Sequence, residues 1–134
     1  MGVAVLVPGT SANLGPGFDS FGLALDVFNR FEAELADEWH VDVEGEGAGV
    51  LKTDGTNRVA QAMARAFEEA GRPELRADIG CVNRIALGNG LGSSAAAIVG
   101  GLILGEALAG VEIGQQRLLE IAAAEEPRPL PRAM

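Results

Sequence analysis

This sequence predicts a mixed α+β domain, and three features carry that prediction. Two stretches alternate apolar and polar residues with the period of a half-buried strand. In the first, Phe31, Ala33 and Leu35 oppose Arg30, Glu32 and Glu34; in the second, Trp39, Val41 and Val43 oppose His40, Asp42 and Glu44. From Asn57 the period changes, and Val59, Met63, Phe67 and Ala70 share one side of a helix. Finally, the run Leu87-Gly88-Asn89-Gly90-Leu91-Gly92-Ser93-Ser94-Ala95 leads into an apolar segment that ends at Ala109, the length of a helix and not of a strand.

Taken in order, Val3 to Val7 is a short apolar run stopped by Pro8, which predicts a buried strand running into a loop. Pro8 to Asp19 is rich in glycine, proline and short polar side chains, the composition of an ordered turn-forming segment. Thr10, Ser11, Asn13 and Asp19 offer more donors and acceptors there than turns require. Asp37-Glu38, between the two alternating strands, suggests a tight hairpin, although the Asn-Gly signal of a type I′ turn is missing. His40, the only histidine, falls on the polar side of its strand among acids and reads as a solvated surface residue. Gly45 to Gly55 is a loop of glycine and acid. Asn57 suits the cap of the helix that follows, and Gly71 with Pro73 ends it. Ala77 to Val82 is a further strand feeding the glycine-rich run, and Gly110 is the C′ residue of the helix after that run. Within this helix Gly100, Gly101 and Gly105 cost about 1 kcal/mol each against alanine, which close packing against a sheet or another backbone offsets. Gln115 to Glu126 is a third helical segment, with Leu118, Leu119 and Ala122 on one face and Pro127 cutting it.

Composition narrows the partners. The 134 residues make one domain, and 48% apolar content supports a core. Ten basic against nineteen acidic residues give a net charge of −9, which repels nucleic acid and anionic lipid, so neither is expected as a partner. Cys81, the single cysteine, has no internal disulfide partner and reads as a small core residue in a reducing compartment. Val3 to Val7 is too short for a signal sequence and has no basic residue before it. Ala95 to Ala109 holds Glu106 and falls short of the roughly 20 residues of a membrane span. A soluble, cytoplasmic protein is expected.

Gly88, Gly90 and Gly92 alternate, leaving no side chain to block a ligand and permitting positive φ. Ser93 or Ser94 stands where an N-cap belongs, and a helix start presents unpaired N–H groups and a positive dipole end, which favour a phosphate. The run contains no lysine and lacks G-x-x-x-x-G-K-[ST], and its spacing fails G-x-G-x-x-G, so it is neither a P-loop nor a dinucleotide fingerprint. A tight turn with a helix cap accounts for the same residues without a ligand.

GLGSSAAA nevertheless resembles the central phosphate-binding motif of the GHMP kinases, the family of galactokinase, homoserine kinase, mevalonate kinase and phosphomevalonate kinase. PGTSANLGPGFDSFGLALD, residues 8–26, is similar to the first motif of the homoserine kinase branch, PATSANLGPGFD, with Gly9 in place of the alanine. The resemblance implies a two-layer, ribosomal-protein-like α/β sandwich with a left-handed βαβ unit, incomplete at the C-terminus. Residues 1–126 would be the N-terminal ATP-binding domain, and 127–134 an aberrant or disordered tail. It implies transfer of the ATP γ-phosphoryl group to L-homoserine in threonine biosynthesis, with ATP and Mg²⁺, and a homodimer. By the same resemblance Asn13 and Asp19 contact homoserine, Asn57 lies near the adenine, and Leu87 to Ala95 hold the nucleotide. Ser94 and Glu126 hold the metal, Ser93 being the other serine open to that role, and Asp19, Ser93 and Glu126 form the catalytic set.

The chain departs from that pattern in two further places. Ala86 stands where a proline is common, which loosens the entry to the glycine-rich run. The family's E-G-H-P-D-N is replaced by Glu125-Glu126-Pro127-Arg128-Pro129, without the histidine or the aspartate. Two alternatives stand beside homoserine: another GHMP kinase of mevalonate or shikimate type, disfavoured by GPGFD, and an inactive nucleotide-binding fragment. The resemblance covers less than half of the family's length, so the apolar face of Ala95 to Ala109 is expected to lack its partner, leaving the chain marginally stable.

Overall fold

Among the described residues, four strands and three helices follow one another as β1 (Val3–Thr10), β2 (Ala24–Ala36), β3 (His40–Gly45), α1 (Arg58–Glu69), β4 (Arg76–Asn83), α2 (Ser93–Ala109) and α3 (Gln115–Glu125). The structure, a computed structural model, describes residues 2–10, 24–85 and 93–125. The α+β class is as the sequence predicts.

The strands form one sheet in the order β1-β2-β4-β3, with β2 antiparallel to both β1 and β4, and β3 parallel to β4. β2 and β3 are therefore not neighbours, and the hairpin expected at Asp37-Glu38 is not formed: β4 is inserted between them. Trp39 explains the turn that forms instead. It stacks on Phe67 of α1, with ring centroids 5.9 Å apart, and anchors the start of β3 to that helix. Gly55 lets the following loop cross the indole, since a Cβ there would meet Trp39 Cδ1 at 3.2 Å. β3, α1 and β4 thus make a parallel βαβ unit, and the crossover supplies the length that parallel pairing requires.

Register puts Val3, Ala33, Ile79 and Val41 in one row and Val5, Phe31, Cys81 and Val43 in the next. Phe31, Val41, Ile79 and Cys81 are buried on this inner face, while Arg30, Glu32, Glu34 and Asp42 face outward. His40 is exposed beside Asp42, 3.0 Å away, as its polar phase suggests. Leu35, expected in the core, is 47% exposed near the end of β2. Pro8 does not stop β1. The strand continues to Thr10 with a register shift between Pro8 and Thr10, because β1 lies at the sheet edge, where a residue without an N–H is tolerated.

α1 begins at an Asn57 cap and ends in a Schellman motif: Gly71 has φ +78°, its N–H donates to Glu68 O, and the Arg72 N–H donates to Phe67 O. α2 is apolar around its circumference because it is the central helix, packed against α1, α3, β1 and β2. Its expected lack of a partner is therefore corrected: Ala96, Ile98, Leu102, Leu104 and Ala109 are buried within this chain. The internal glycines permit that. A Cβ at Gly100 would strike the Phe31 ring, at Gly101 it would meet Val59 O at 2.5 Å, and at Gly105 the Ala66 Cβ at 2.6 Å.

Gly110, with φ +70°, ends α2 as expected. The Glu106 carboxylate then accepts from the Ile113 and Gly114 N–H groups at 2.7 and 3.0 Å, fixing the approach to α3. Ile121, not Leu119, anchors α3: Ile121 is buried with Leu118 and Ala122 packed around it, whereas Leu119 is 60% exposed. Arg117 reaches across to Glu69 of α1 through two 3.0 Å hydrogen bonds. Among the described residues no helix is long and apolar enough to cross a membrane.

Candidate functional site

At one end of the sheet the first turns of α1 and α2 come together over β2 and β4, and a pocket of about 330 Å³ lies between them. Asn29, Phe31, Cys81 and Asn83 contribute from the sheet, Asn57 and Val59 from the start of α1, Ser94 and Ala97 from the start of α2, and Lys52 and Thr56 from the loop before α1. The fold thus brings together two residues that the sequence singled out separately, Asn57 and Ser94.

Asn57 is 5% exposed, and both ends of its amide are engaged. Its Oδ1 accepts from the Val59 N–H at 2.8 Å, and its Nδ2 donates to Lys52 O at 2.9 Å. The side chain therefore caps α1 and ties the preceding loop to it, building the pocket wall. Nearby, the Asp54 carboxylate accepts from the Thr56 hydroxyl and backbone N–H, which holds its pKa below the ordinary value.

Ser93 is the first residue of α2, so both serines lie in the first helical turn and not before it. Ser94 is exposed there and Ala95 half-buried behind it. That turn carries no acidic residue, which leaves the positive end of the helix open to an anion. Lys52 and Arg58, both exposed, add two cations to the lining of the pocket in a chain of strong net negative charge. Asn13, Asp19, Ala86, Leu87, Gly88, Asn89, Gly90, Leu91, Gly92 and Glu126 lie outside the described residues.

Two asparagines in the pocket escaped the sequence reading. Asn29 is 1% exposed, and its Oδ1 accepts from two consecutive backbone N–H groups, Arg84 at 2.8 Å and Ile85 at 2.9 Å. Asn83 is 6% exposed and donates through Nδ2 to Glu46 O at 3.1 Å. Its Oδ1 is the one buried side-chain polar atom without a partner among the described residues. The available signal was phase, because Asn29 shares the inward alternation of Phe31 and Ala33, where a polar residue is informative. Cys81, beside them, is no nucleophile: burial first, and then the Asp42 charge, push its thiol up to about 12.

The open face of the sheet holds a wider depression of about 530 Å³, lined by Arg30, Glu32, Glu34, Asp42 and Asp78. Its charges already pair in part, Arg30 with Glu32 at 2.8 Å, and no helix terminus points into it. The combination of a helix start, buried amides and rim cations belongs to the smaller pocket, which is the candidate site.

Comparison with known proteins gives the family and the fold. The family model for the GHMP kinases N terminal domain matches residues 57–128. Among curated proteins, the homoserine kinase of Clavibacter michiganensis subsp. michiganensis is 47% identical over 131 residues, covering 95% of this chain and 42% of that protein. The crystal structure of homoserine kinase from Cytophaga hutchinsonii is similar at a TM-score of 0.74 and 31% identity, covering 92% of this chain and 40% of that one. The mevalonate kinase of Methanococcus jannaschii has a TM-score of 0.73 at 15% identity, with 93% and 46% covered, a likeness of fold alone. The chain spans 41% to 43% of the length of the curated relatives it matches.

Proposed function

The chain belongs to the GHMP kinase family, and we propose that it is the N-terminal, nucleotide-binding part of a homoserine kinase, which moves the γ-phosphoryl group of ATP to the side-chain hydroxyl of L-homoserine. The observation that carries the acceptor is the identity to curated homoserine kinases, 41% and 47% over 95% of this chain for two of them, beside the PGTSANLGPGFD stretch of the sequence. The likeness to mevalonate kinase supports no acceptor, since the fold is common to both. In this reading residues 1–126 form the domain, the setting is cytoplasmic, and the product feeds threonine biosynthesis.

Phosphoryl transfer asks the protein for positioning and charge stabilisation more than for covalent chemistry. The nucleoside occupies the pocket between Asn57 and Asn83, and its phosphates extend to the start of α2, where backbone N–H groups, the helix dipole and Gly90 to Ser94 receive them. Lys52 and Arg58 offset phosphate charge at the rim. Asn13 and Asp19 orient homoserine on the acceptor side.

Ser94 fits a role at Mg²⁺: it is an exposed hydroxyl oxygen at the helix start where the phosphates would lie, and hard oxygen donors are what that ion takes. With Glu126 it would hold the ion, which when bound neutralises charge on the phosphate oxygens. The described cluster of His40, Asp42 and Asp78 is on the other face of the sheet and has no part in this.

The deciding assay is ATP-dependent phosphorylation by the purified chain, with homoserine, mevalonate and shikimate as acceptors. Turnover with homoserine supports the proposal; a preference for mevalonate overturns the acceptor. Nucleotide binding without turnover favours the reading as a binding fragment. Gly92→Val is expected to weaken nucleotide affinity by about tenfold or more, because a β-branched side chain blocks phosphate approach. Equal affinity in both proteins removes the glycine-rich run from the site.

A further inference from the structure

We infer that Asn29 is a positioning residue for the phosphate end of the nucleotide site, acting by clamping the backbone that leaves β4; the inference rests on the nucleotide reading above. Asn29 occupies an inward position of β2 and is 1% exposed. An amide buried so deeply is costly unless its hydrogen bonds are made. Its Oδ1 makes two, to Arg84 and Ile85, residues 55 and 56 positions further along the chain. Both N–H groups lie just past Asn83, the last residue of β4. The β2–β4 register ends one residue earlier, at Arg30 with Val82, so the backbone ladder offers these groups no acceptor. The Asn29 side chain continues the ladder for two residues where the strands have ceased to pair.

What it holds is the lead-in to the glycine-rich sequence. Ile85 is itself fully buried, so its side chain fixes the same backbone from the apolar side, and Leu87 follows two positions later. Asn29 and Ser94 also line one pocket, so the clamp stands at the site and not at a distance from it. A side chain of similar volume without an acceptor would fill the space and release Arg84 and Ile85. Asn57 and Val59 of α1, at the nucleoside end of the pocket, take no part in those bonds. Loss of the clamp therefore falls more heavily on phosphate affinity than on the nucleoside.

The test titrates the 134-residue chain and Asn29→Leu with adenosine and with ADP by calorimetry. In the wild type ADP should bind more tightly than adenosine. In Asn29→Leu the ratio of ADP to adenosine affinity should fall about tenfold, erasing the phosphate increment, whatever the change in adenosine affinity itself. A parallel fall for both ligands would reduce Asn29 to general scaffolding, and unchanged ADP affinity would remove it altogether; either outcome overturns the inference. A wild type that binds neither compound overturns the nucleotide reading, and this inference with it, a result read without the variant. Amide hydrogen exchange adds a measurement independent of the leucine variant's folding. The Arg84 and Ile85 amides of the wild type should be protected like those inside β4, and Asn29→Asp, which keeps an acceptor oxygen, should retain that protection. Exchange of both amides at exposed-loop rates in the wild type would show that no clamp exists.

Discussion

Gly101→Ala sets two effects of known size against each other. In a helix interior alanine is better than glycine by about 1 kcal/mol, so propensity alone makes the change stabilising. Packing opposes it. The new Cβ would lie 2.5 Å from Val59 O, 2.8 Å from the Ala62 Cβ and 3.2 Å from Met63 N, all on α1. None of these atoms moves by a side-chain rotation, so α1 and α2 must part by about 0.5 to 1 Å to restore ordinary contact. Overpacking of this kind costs about 1–3 kcal/mol. A net loss of about 1–2 kcal/mol is expected at the upper part of that range. With about 2.1 cal/mol/K of unfolding entropy per residue, this lowers Tm by about 4–7 °C in a chain of 134 residues. Thermal unfolding followed by far-UV circular dichroism measures it. Gly110→Ala is the control, since nothing lies within 4 Å of its added Cβ and only its φ of +70° is strained. The same displacement should reach the site, because Val59 and Ala97 wall the pocket from the two helices being pushed apart. Nucleotide affinity should therefore fall in Gly101→Ala and hold in Gly110→Ala. A Tm at or above the wild-type value would mean that helix propensity outweighs packing there, and the close α1–α2 contact would be refuted.

Three further outcomes are expected. The Arg117 hydrogen bonds, followed by the Arg117 charge and by Arg65, hold the Glu69 carboxyl below its ordinary value of 4.5. Its contribution to α3 docking is therefore complete above about that pH and lost as pH falls through the lower folded-state value, so hydrogen exchange in α3 should quicken only in acid, and Arg117→Ala should weaken that acid dependence, the Arg65–Glu125 pair remaining. Cys81 should resist a disulfide reagent at pH about 8 until the chain unfolds, because its thiol is buried and rarely ionised; rapid labelling of the native chain would place the sulfur in solvent. Asn57→Ala should cost about 1–2 kcal/mol by denaturant unfolding, since it removes a helix cap and the tie to Lys52 O, whereas Asn57→Asp, which keeps the capping oxygen, should cost less.

The elements of this fold were legible where burial follows a local period. Phe31, Ala33, Val41, Val59, Met63 and Phe67 are buried as their spacing requires. Pairing was not legible, because it joins residues far apart. Asp37-Glu38 looked like a hairpin turn between two strands of matching pattern, yet what decides the order is a strand that begins at Arg76 and takes the place between them. Trp39 carried the missing clue as a large aromatic at the turn whose partner, Phe67, lies on the next helix. Pro8 was misjudged for the same reason: whether a proline ends a strand depends on whether that strand is central or at an edge, and this is a property of the sheet.

The candidate site divides along the same line. Ser94 and Asn57 were conspicuous because each belongs to a local pattern, a helix start. Asn29 and Asn83 were not, because the partners that give them meaning lie 55 and 37 or more residues away in sequence. Register shows what they share. The inward positions of β2 run Ala33, Phe31, Asn29, and those of β4 run Ile79, Cys81, Asn83, so both strands change from apolar to amide toward one end of the sheet. A sheet face built only for packing would stay apolar to its end, since burying an amide gains nothing that leucine or valine would not supply more simply. The change occurs beneath the first turns of α1 and α2, where helix N–H groups lack acceptors and Lys52 and Arg58 add positive charge. There the asparagines hold backbone that no ladder reaches: Asn29 the exit of β4, Asn83 the Glu46 carbonyl beyond β3. At that end the sheet passes from supporting the core to arranging polar backbone around a pocket.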